Sequence, residues 1–157
     1  MNTSDLEKRI DAFVQQAMQQ WNVPGLAMVI VKDDQVLLSK GYGIREIGKP
    51  EKVDEQTLFA IGSNTKAFTA AAVGLLVQEG KLAWDDPVTK YLPGFKLYDH
   101  HATELMSIRD LLCHRCGLGT WAGDMLLLSN YATEEIIQRL RYIPPAYSFR
   151  AGYGYSN

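Results

Sequence analysis

A mixed helix-and-sheet protein, α/β in content and α+β in order, is what the sequence predicts, and three observations carry it. The N-terminal stretch has helical hydrophobic periodicity. The next one is β-rich on either side of a polar turn. Beyond residue 80 the chain reads as short helices joined by loops. With 157 residues, 46% of them apolar, one ordinary core is affordable. The formal net charge of −2 comes without a basic run, which argues against nucleic acid or an anionic membrane as partner. No apolar stretch approaches the ~20 residues that span a bilayer.

Taking the elements in order, Ser4 to Trp21 reads as an amphipathic helix. Ser4 and Glu7 have capping-box spacing, and Leu6, Ile10, Phe13, Val14, Ala17 and Trp21 form its apolar stripe. Pro24-Gly25 ends it. "LAMVIVKDDQVLLSKGYGI" is two strands around the turn Lys32-Asp33-Asp34-Gln35, a hairpin. Its first strand is almost wholly apolar, so both faces are expected to be covered. "REIGKPEKVDEQT" is a charged connection. A helix opening at Ser63 then runs to about Glu79 and stops at Gly80. Its alanines, valines and leucines leave little polar circumference, which places it in the middle of a protein. "WDDPVTKYLPGF" predicts a helical turn with Pro87 early in it. "SIRDLLCHRCGLG" predicts a helix capped by Ser107 and ended by Gly117, and "TEEIIQRLRYI" one capped by Thr133 and closed by Pro144-Pro145. "TWAGDMLLLSNY" and the tail "AYSFRAGYGYSN" read as loops. A two-stranded hairpin cannot bury two apolar faces, and nothing after Gly80 supplies more strands. The chain reads as unfinished.

The chemistry sits in "IGSNTKAFTAAA". Ser63 and Lys66 are three apart, so on a helix they share a face with Cβ atoms about 5–6 Å apart. Desolvation among alanines would disfavour the ammonium and leave some amine neutral, able to take a proton. The helix N-terminus favours arriving negative charge and offers the Ser63 N–H as an oxyanion donor. That combination suits nucleophilic acyl transfer. The tetrapeptide alone says little, since a chain of this size holds Ser-x-x-Lys on the order of once by chance. A cap and a surface lysine would look the same. Tyr155-Ser156-Asn157 adds a phenol that could relay a proton and an amide that could orient both lysine and substrate carbonyl. A tyrosine simply packed on the core is the plainer alternative.

Taken together, these residues resemble the serine β-lactamase/penicillin-binding superfamily, in the branch of class C β-lactamases, D-alanyl-D-alanine carboxypeptidases and related esterases and peptidases. "PGLAMVIVKDDQVLLSKGYG" resembles its first hairpin. "FAIGSNTKAFTAAAVGLLVQEGKLAWDDPVTKYLPGF" resembles its nucleophile helix and following turn. "SIRDLLCHRCGLG" is similar to its leucine-leucine-x-histidine-x-x-glycine-leucine segment, and "FRAGYGYSN" to its tyrosine-x-asparagine loop. The matches are collinear and cover nearly the whole chain. The resemblance implies Ser63 as acylated nucleophile, Lys66 as its base, Tyr155 as proton relay and Asn157 as substrate-orienting amide. It also implies a β-lactamase/transpeptidase-like sandwich with an inserted helical subdomain, apparently truncated. Residues 1–157 would be the N-terminal part of one domain, with hairpin and nucleophile helix in 1–80 and helical subdomain and Tyr-Ser-Asn loop in 81–157. The substrate would be a small molecule or peptide carrying an amide or ester: a β-lactam, a D-amino-acid peptide or a carboxylic ester. No cofactor is implied.

One family feature is absent. The third motif, lysine-threonine-glycine or a histidine-containing variant on a later strand, does not occur in these 157 residues. Losing one oxyanion donor typically costs about 10²–10³ in rate, and losing strands exposes a sheet edge and face. The expectation is a chain that folds poorly, self-associates to replace the missing strands, and turns over weakly. A non-catalytic fragment or binding module of the same fold is the alternative. A third class, metal or redox chemistry at Cys113-His114-Arg115-Cys116 with His100-His101 nearby, lacks a second ligand pair and the strand–motif–helix order. In that setting His114 is expected to hold the subdomain loop. The polar, acidic "MNTSDLEKRI" is not a secretory signal, so the protein as written is expected to be cytoplasmic, or periplasmic or secreted if a leader was removed.

Overall fold

The computed structural model describes residues 3–157, with side chains from Asp5 onward. They form two compact units, one ending at Ile61 and the other running Gly62–Asn157. Among the described residues no helix is long and apolar enough to cross a membrane.

The first unit is a helix on a hairpin. Helix α1, Thr3–Trp21, precedes strands β1, Gly25–Lys32, and β2, Gln35–Gly43, which pair antiparallel. Asp33 and Asp34 both take left-handed φ, 52° and 60°, the geometry of a two-residue turn that matches strand twist and that aspartate tolerates. Leu26 faces Tyr42, Met28 faces Lys40 and Ile30 faces Leu38. The register then slips between Ile30 and Val31. Leu38, Tyr42 and, on α1, Val14 are buried. At their edge Lys40 donates to Asp11 at 2.8 Å and Glu7 at 3.1 Å, and Tyr42 donates to Asp11 at 2.8 Å. Those bonds, from Lys40 first and then Tyr42, hold the Asp11 carboxyl below its usual range.

Two expectations fail here for one reason. Phe13 and Trp21 are exposed, and Val29 on β1 is 62% exposed rather than covered on both faces. The sheet has two strands, too few to bury both of its faces, so side chains turned away from the α1–hairpin contact stay open. The Ser4–Glu7 capping box involves a side chain outside the described ones.

The second unit begins with a 3₁₀ turn, Gly62–Asn64, leading into α2, Thr65–Gln78. Gly80, φ 69°, ends it as expected. Its N–H reaches the Val77 carbonyl at 3.0 Å and the Lys81 N–H reaches Leu76 at 2.9 Å, a Schellman closure. The short helices follow: α3 Val88–Tyr91, α4 His100–Leu105, α5 Ile108–Cys113, α6 Asp124–Leu128 and α7 Thr133–Arg139. Val88, Phe95, Leu97, Ala102 and Met106 are their buried core, with Ile108, Ile137, Leu140 and Phe149 packed against it.

Several elements of this unit differ from what the residue pattern predicts. No residue of α2 is buried, and Phe68 and Leu75 are 68% and 60% exposed. A helix apolar on all sides needs partners on all sides, and the described residues form a sheet of two strands only. Helix α5 stops at His114, left-handed at φ 54°, before Gly117 is reached. The α7 cap is Ala132, with Thr133 already helical. The loop "TWAGDMLLLSNY" contains α6, and α4 was not foreseen.

Asp110 ties this unit together. It is 1% exposed, completes the Ser107 capping box, and accepts from Arg150 Nε at 3.0 Å and Nη2 at 2.6 Å, Arg115 Nε at 3.1 Å and the Ser107 hydroxyl at 2.6 Å. Burial pushes its carboxyl up. The bonds from Arg150, Ser107 and Arg115 outweigh that and hold it well below the usual carboxylate range. Asp110→Asn removes charge-assisted bonds at a buried position and should cost about 2–4 kcal/mol in urea unfolding. The folded carboxyl ionises at lower pH than the unfolded one, near 3.9. Its stabilisation is therefore complete above that pH and drains away as pH falls through it toward the folded value. The variant should lose that part of the acid sensitivity.

Candidate active site

Ser63 lies in the 3₁₀ turn and Lys66 in the first turn of α2, while Tyr155 and Asn157 come from the irregular tail. The structure brings all four together. Lys66 Nζ donates to Ser63 Oγ at 3.1 Å and to Asn157 Oδ1 at 2.5 Å. Ser63 Oγ and the Tyr155 hydroxyl share a short hydrogen bond. The Lys66 ammonium lies 4.9 Å from the centre of the Tyr155 ring, within cation–π range. One hydroxyl thus touches both a phenol and an amine, the arrangement needed to strip a proton from an alcohol and pass it on.

The tail is held by backbone contacts. The Gly154 N–H donates to the His114 carbonyl at 3.0 Å, and the Trp121 N–H to the Tyr155 carbonyl at 2.7 Å. Residue 154 has to be glycine, because a Cβ there would stand 1.9 Å from the Leu118 carbonyl oxygen. The His114 ring packs on Tyr155 at 4.6 Å and Trp121 meets it edge-on at 5.3 Å. His114 therefore meets the tail through its backbone carbonyl and the face of its ring. Its left-handed backbone costs about 1–2 kcal/mol in a residue with a Cβ, a strain located beside the candidate phenol.

Sequence reasoning missed Asp124. Its carboxylate accepts from Asn157 N at 2.9 Å and Asn157 Nδ2 at 2.8 Å. The available signal was "GDMLLL", an acidic residue opening an apolar run after glycine, but a five-residue helix gives too little periodicity to see. The surroundings also differ from expectation. Ser63 and Asn157 are exposed and Lys66 is half-buried, so the dry setting inferred from the alanines is not formed by the described residues.

Both thiols are free. Cys113 is exposed and Cys116 packs against the core. Among the described residues no three His, Cys, Asp or Glu side chains converge as a metal-ligand set.

The Beta-lactamase family profile matches residues 10–157. Protein flp of Staphylococcus aureus is 38% identical over 116 residues, 74% of this chain and 23% of that protein. Unguisins hydrolase ungD of Aspergillus violaceofuscus is 31% identical over 166 aligned residues, 99% of this chain and 29% of that one. Among solved structures, the octameric penicillin-binding protein homologue of Pyrococcus abyssi superposes with a TM-score of 0.79 at 28% identity, covering 95% of this chain and 35% of that chain. The chain thus spans about a quarter to a third of these relatives.

The cation beside Tyr155 has a measurable consequence. Bonds from Lys66 and then Ser63 pull the phenol below its ordinary value, with burial and Asp124 opposing. Carbon NMR of labelled tyrosine should show Tyr155 ionising at lower pH than a free phenol. Lys66→Met should move that titration up. A Tyr155 titration unchanged by the substitution would contradict the geometry.

Proposed function

This chain belongs to the Beta-lactamase family, and from that premise we propose that its site performs serine acyl transfer on an amide or ester. The fold is β-lactamase/transpeptidase-like, and the relatives are hydrolases and penicillin-binding-protein homologues of that fold. The observation that carries the reading is the shared Ser63 hydroxyl, bonded at once to Tyr155 and to Lys66.

In the proposed step Lys66 acts from its neutral amine form: the Ser63 Oγ attacks the substrate carbonyl carbon, and its proton passes to that amine, directly or through Tyr155. The tetrahedral oxyanion collects a hydrogen bond from the Ser63 N–H. Tyr155, resupplied by Lys66, gives a proton to the leaving nitrogen or oxygen. The carbonyl–leaving-group bond breaks and an ester on Ser63 remains. Attack by water on that ester would release the acid and regenerate the serine. Asn157 holds Lys66 through Oδ1 and turns an N–H toward the substrate carbonyl. The substrates proposed are those the sequence suggested, a β-lactam, a D-amino-acid peptide or a carboxylic ester. Trapping therefore uses a fluorescent penicillin in one arm and a fluorophosphonate in the other.

One feature supports the alternative of a non-catalytic module, the exposure of Ser63. Covalent labelling separates the two. Under the catalytic reading, peptide mass mapping places an adduct on Ser63. Ser63→Ala abolishes it, and Lys66→Met or Tyr155→Phe slows it by about 10²–10⁴. Failure of both probes to mark Ser63, with the chain shown to be folded by circular dichroism, would favour the binding module.

A further inference from the structure

We propose that Asp124 is a positioning residue of this site: its carboxylate dictates which end of the Asn157 amide faces Lys66, and so where the lysine amine is held. The proposal rests on the acyl-transfer reading above and deepens it.

An asparagine side chain has two orientations of nearly the same shape, differing in which end carries oxygen and which nitrogen. Hydrogen-bond partners decide between them. Here the partners leave no choice. An ionised carboxylate can only accept, so the end of Asn157 facing Asp124 must be the NH₂, and Nδ2 donates to Asp124 Oδ2 at 2.8 Å. The carbonyl end then faces the other way and receives Lys66 Nζ at 2.5 Å. Flipping the amide would set oxygen against carboxylate and NH₂ against the lysine, turning two attractive contacts into two repulsive ones. The second Asp124 oxygen accepts the Asn157 backbone N–H at 2.9 Å, so the carboxylate grips the residue at two points. The Ser156 hydroxyl lies 3.4 Å from that same oxygen while donating to the Ala122 carbonyl at 2.6 Å.

Asp124 reaches this position because Gly123, left-handed at φ 81°, turns the chain into α6 with Asp124 as the first helical residue. The result is a chain of contacts Asp124–Asn157–Lys66–Ser63. It also fixes the donor count. One Nδ2 hydrogen is committed to Asp124, leaving Asn157 a single N–H for the substrate carbonyl.

The test is a cycle of Asp124→Ala, Asn157→Ala and the double variant. Single-turnover acylation of Ser63 by fluorescent penicillin or a reactive ester is followed across probe concentration, with thermal melting alongside. Misplacing the lysine should lower the maximal acylation rate constant by about 10–100-fold, with little change in the half-saturating concentration. In the Asn157→Ala background the same substitution should change it by less than about twofold, because Asp124 acts through that amide. Equal losses in both backgrounds would overturn the proposal, as would an undiminished rate in Asp124→Ala. Asp124→Asn guards against loss of fold. It keeps the shape but can accept only one of the two donors through oxygen, and should fall between wild type and Asp124→Ala.

A second readout does not depend on catalysis. Nitrogen-edited NMR of the Asn157 side chain should show one amide proton shifted and slow to exchange in wild type, and an ordinary exposed pair in Asp124→Ala. Signals indifferent to the substitution would sink the proposal even if Ser63 is acylated. A clear change with an unlabelled Ser63 would sink only the acyl-transfer reading.

Discussion

Everything at the candidate site depends on one long-range closure. Residues at 63 and 66 meet residues at 155 and 157, partners 91 or 92 positions apart in the chain. Bringing such distant segments together carries a loop-closure cost that grows slowly with length, and the few hydrogen bonds among four side chains are not enough to offset it. The work is done elsewhere in the same unit. Arg150 locks the tail to Asp110, the Gly154 N–H locks it to His114, and the Tyr155 carbonyl receives Trp121. Asp110 is itself built into the start of α5, and the α5 exit is His114. One six-residue helix therefore supplies an anchor for the tail at each of its ends. The phenol arrives at Ser63 because α5 is where it is.

Charge is distributed to keep that meeting point ordered. Lys66 has three oxygen- or π-bearing neighbours: Ser63, Asn157 and the Tyr155 ring. Asp124 stands behind Asn157 as a counter-charge one residue removed. The amide separates cation and anion while bonding both, so the lysine is located without being neutralised by a direct ion pair. In the proposed acyl transfer a carboxylate in direct contact would compete with the serine proton for the amine, whereas here the amide lies between them.

Much of the frame could be read from residue order because the signals were local. Asp33-Asp34 announced the hairpin turn, Ser107 the cap of α5, and Gly80 the end of α2; each is a short-range choice that the backbone has to satisfy within a few residues. Ser63 and Lys66 were legible for the same reason, being one turn apart. What failed was long-range. Burial of Phe13, Trp21, Val29 and α2 depends on how many partners a surface meets, which hydrophobic content does not report. Asp124 was invisible for a different reason. Its importance lies in a contact 33 residues away, and its own helix is five residues long. Conversely, His114 ended α5 earlier than Gly117 because the chain had to turn where the tail docks, and a tertiary demand overrode the better left-handed residue.

The exposure of α2 bears directly on what the geometry is worth. Four side chains already lie within hydrogen-bonding reach of one another, which meets the positional requirement of the proposed acyl transfer. The electrostatic part is not. A charge interaction is several-fold weaker at a water-exposed surface than in an enclosed pocket, and Ser63 and Asn157 stand open to solvent. Oxyanion stabilisation draws its strength from water exclusion and fixed dipoles, so an open version of this site would hold the reacting groups in place while giving the transition state little more than water does. The apolar face of α2 bears on the same point. Its uncovered Phe68 and Leu75 are surfaces that gain free energy from being covered. A covering layer that also closed over Ser63 would raise stability and electrostatic stabilisation together. Water access to the face on which Lys66 lies therefore links the burial of α2 to the electrostatic strength of the proposed site.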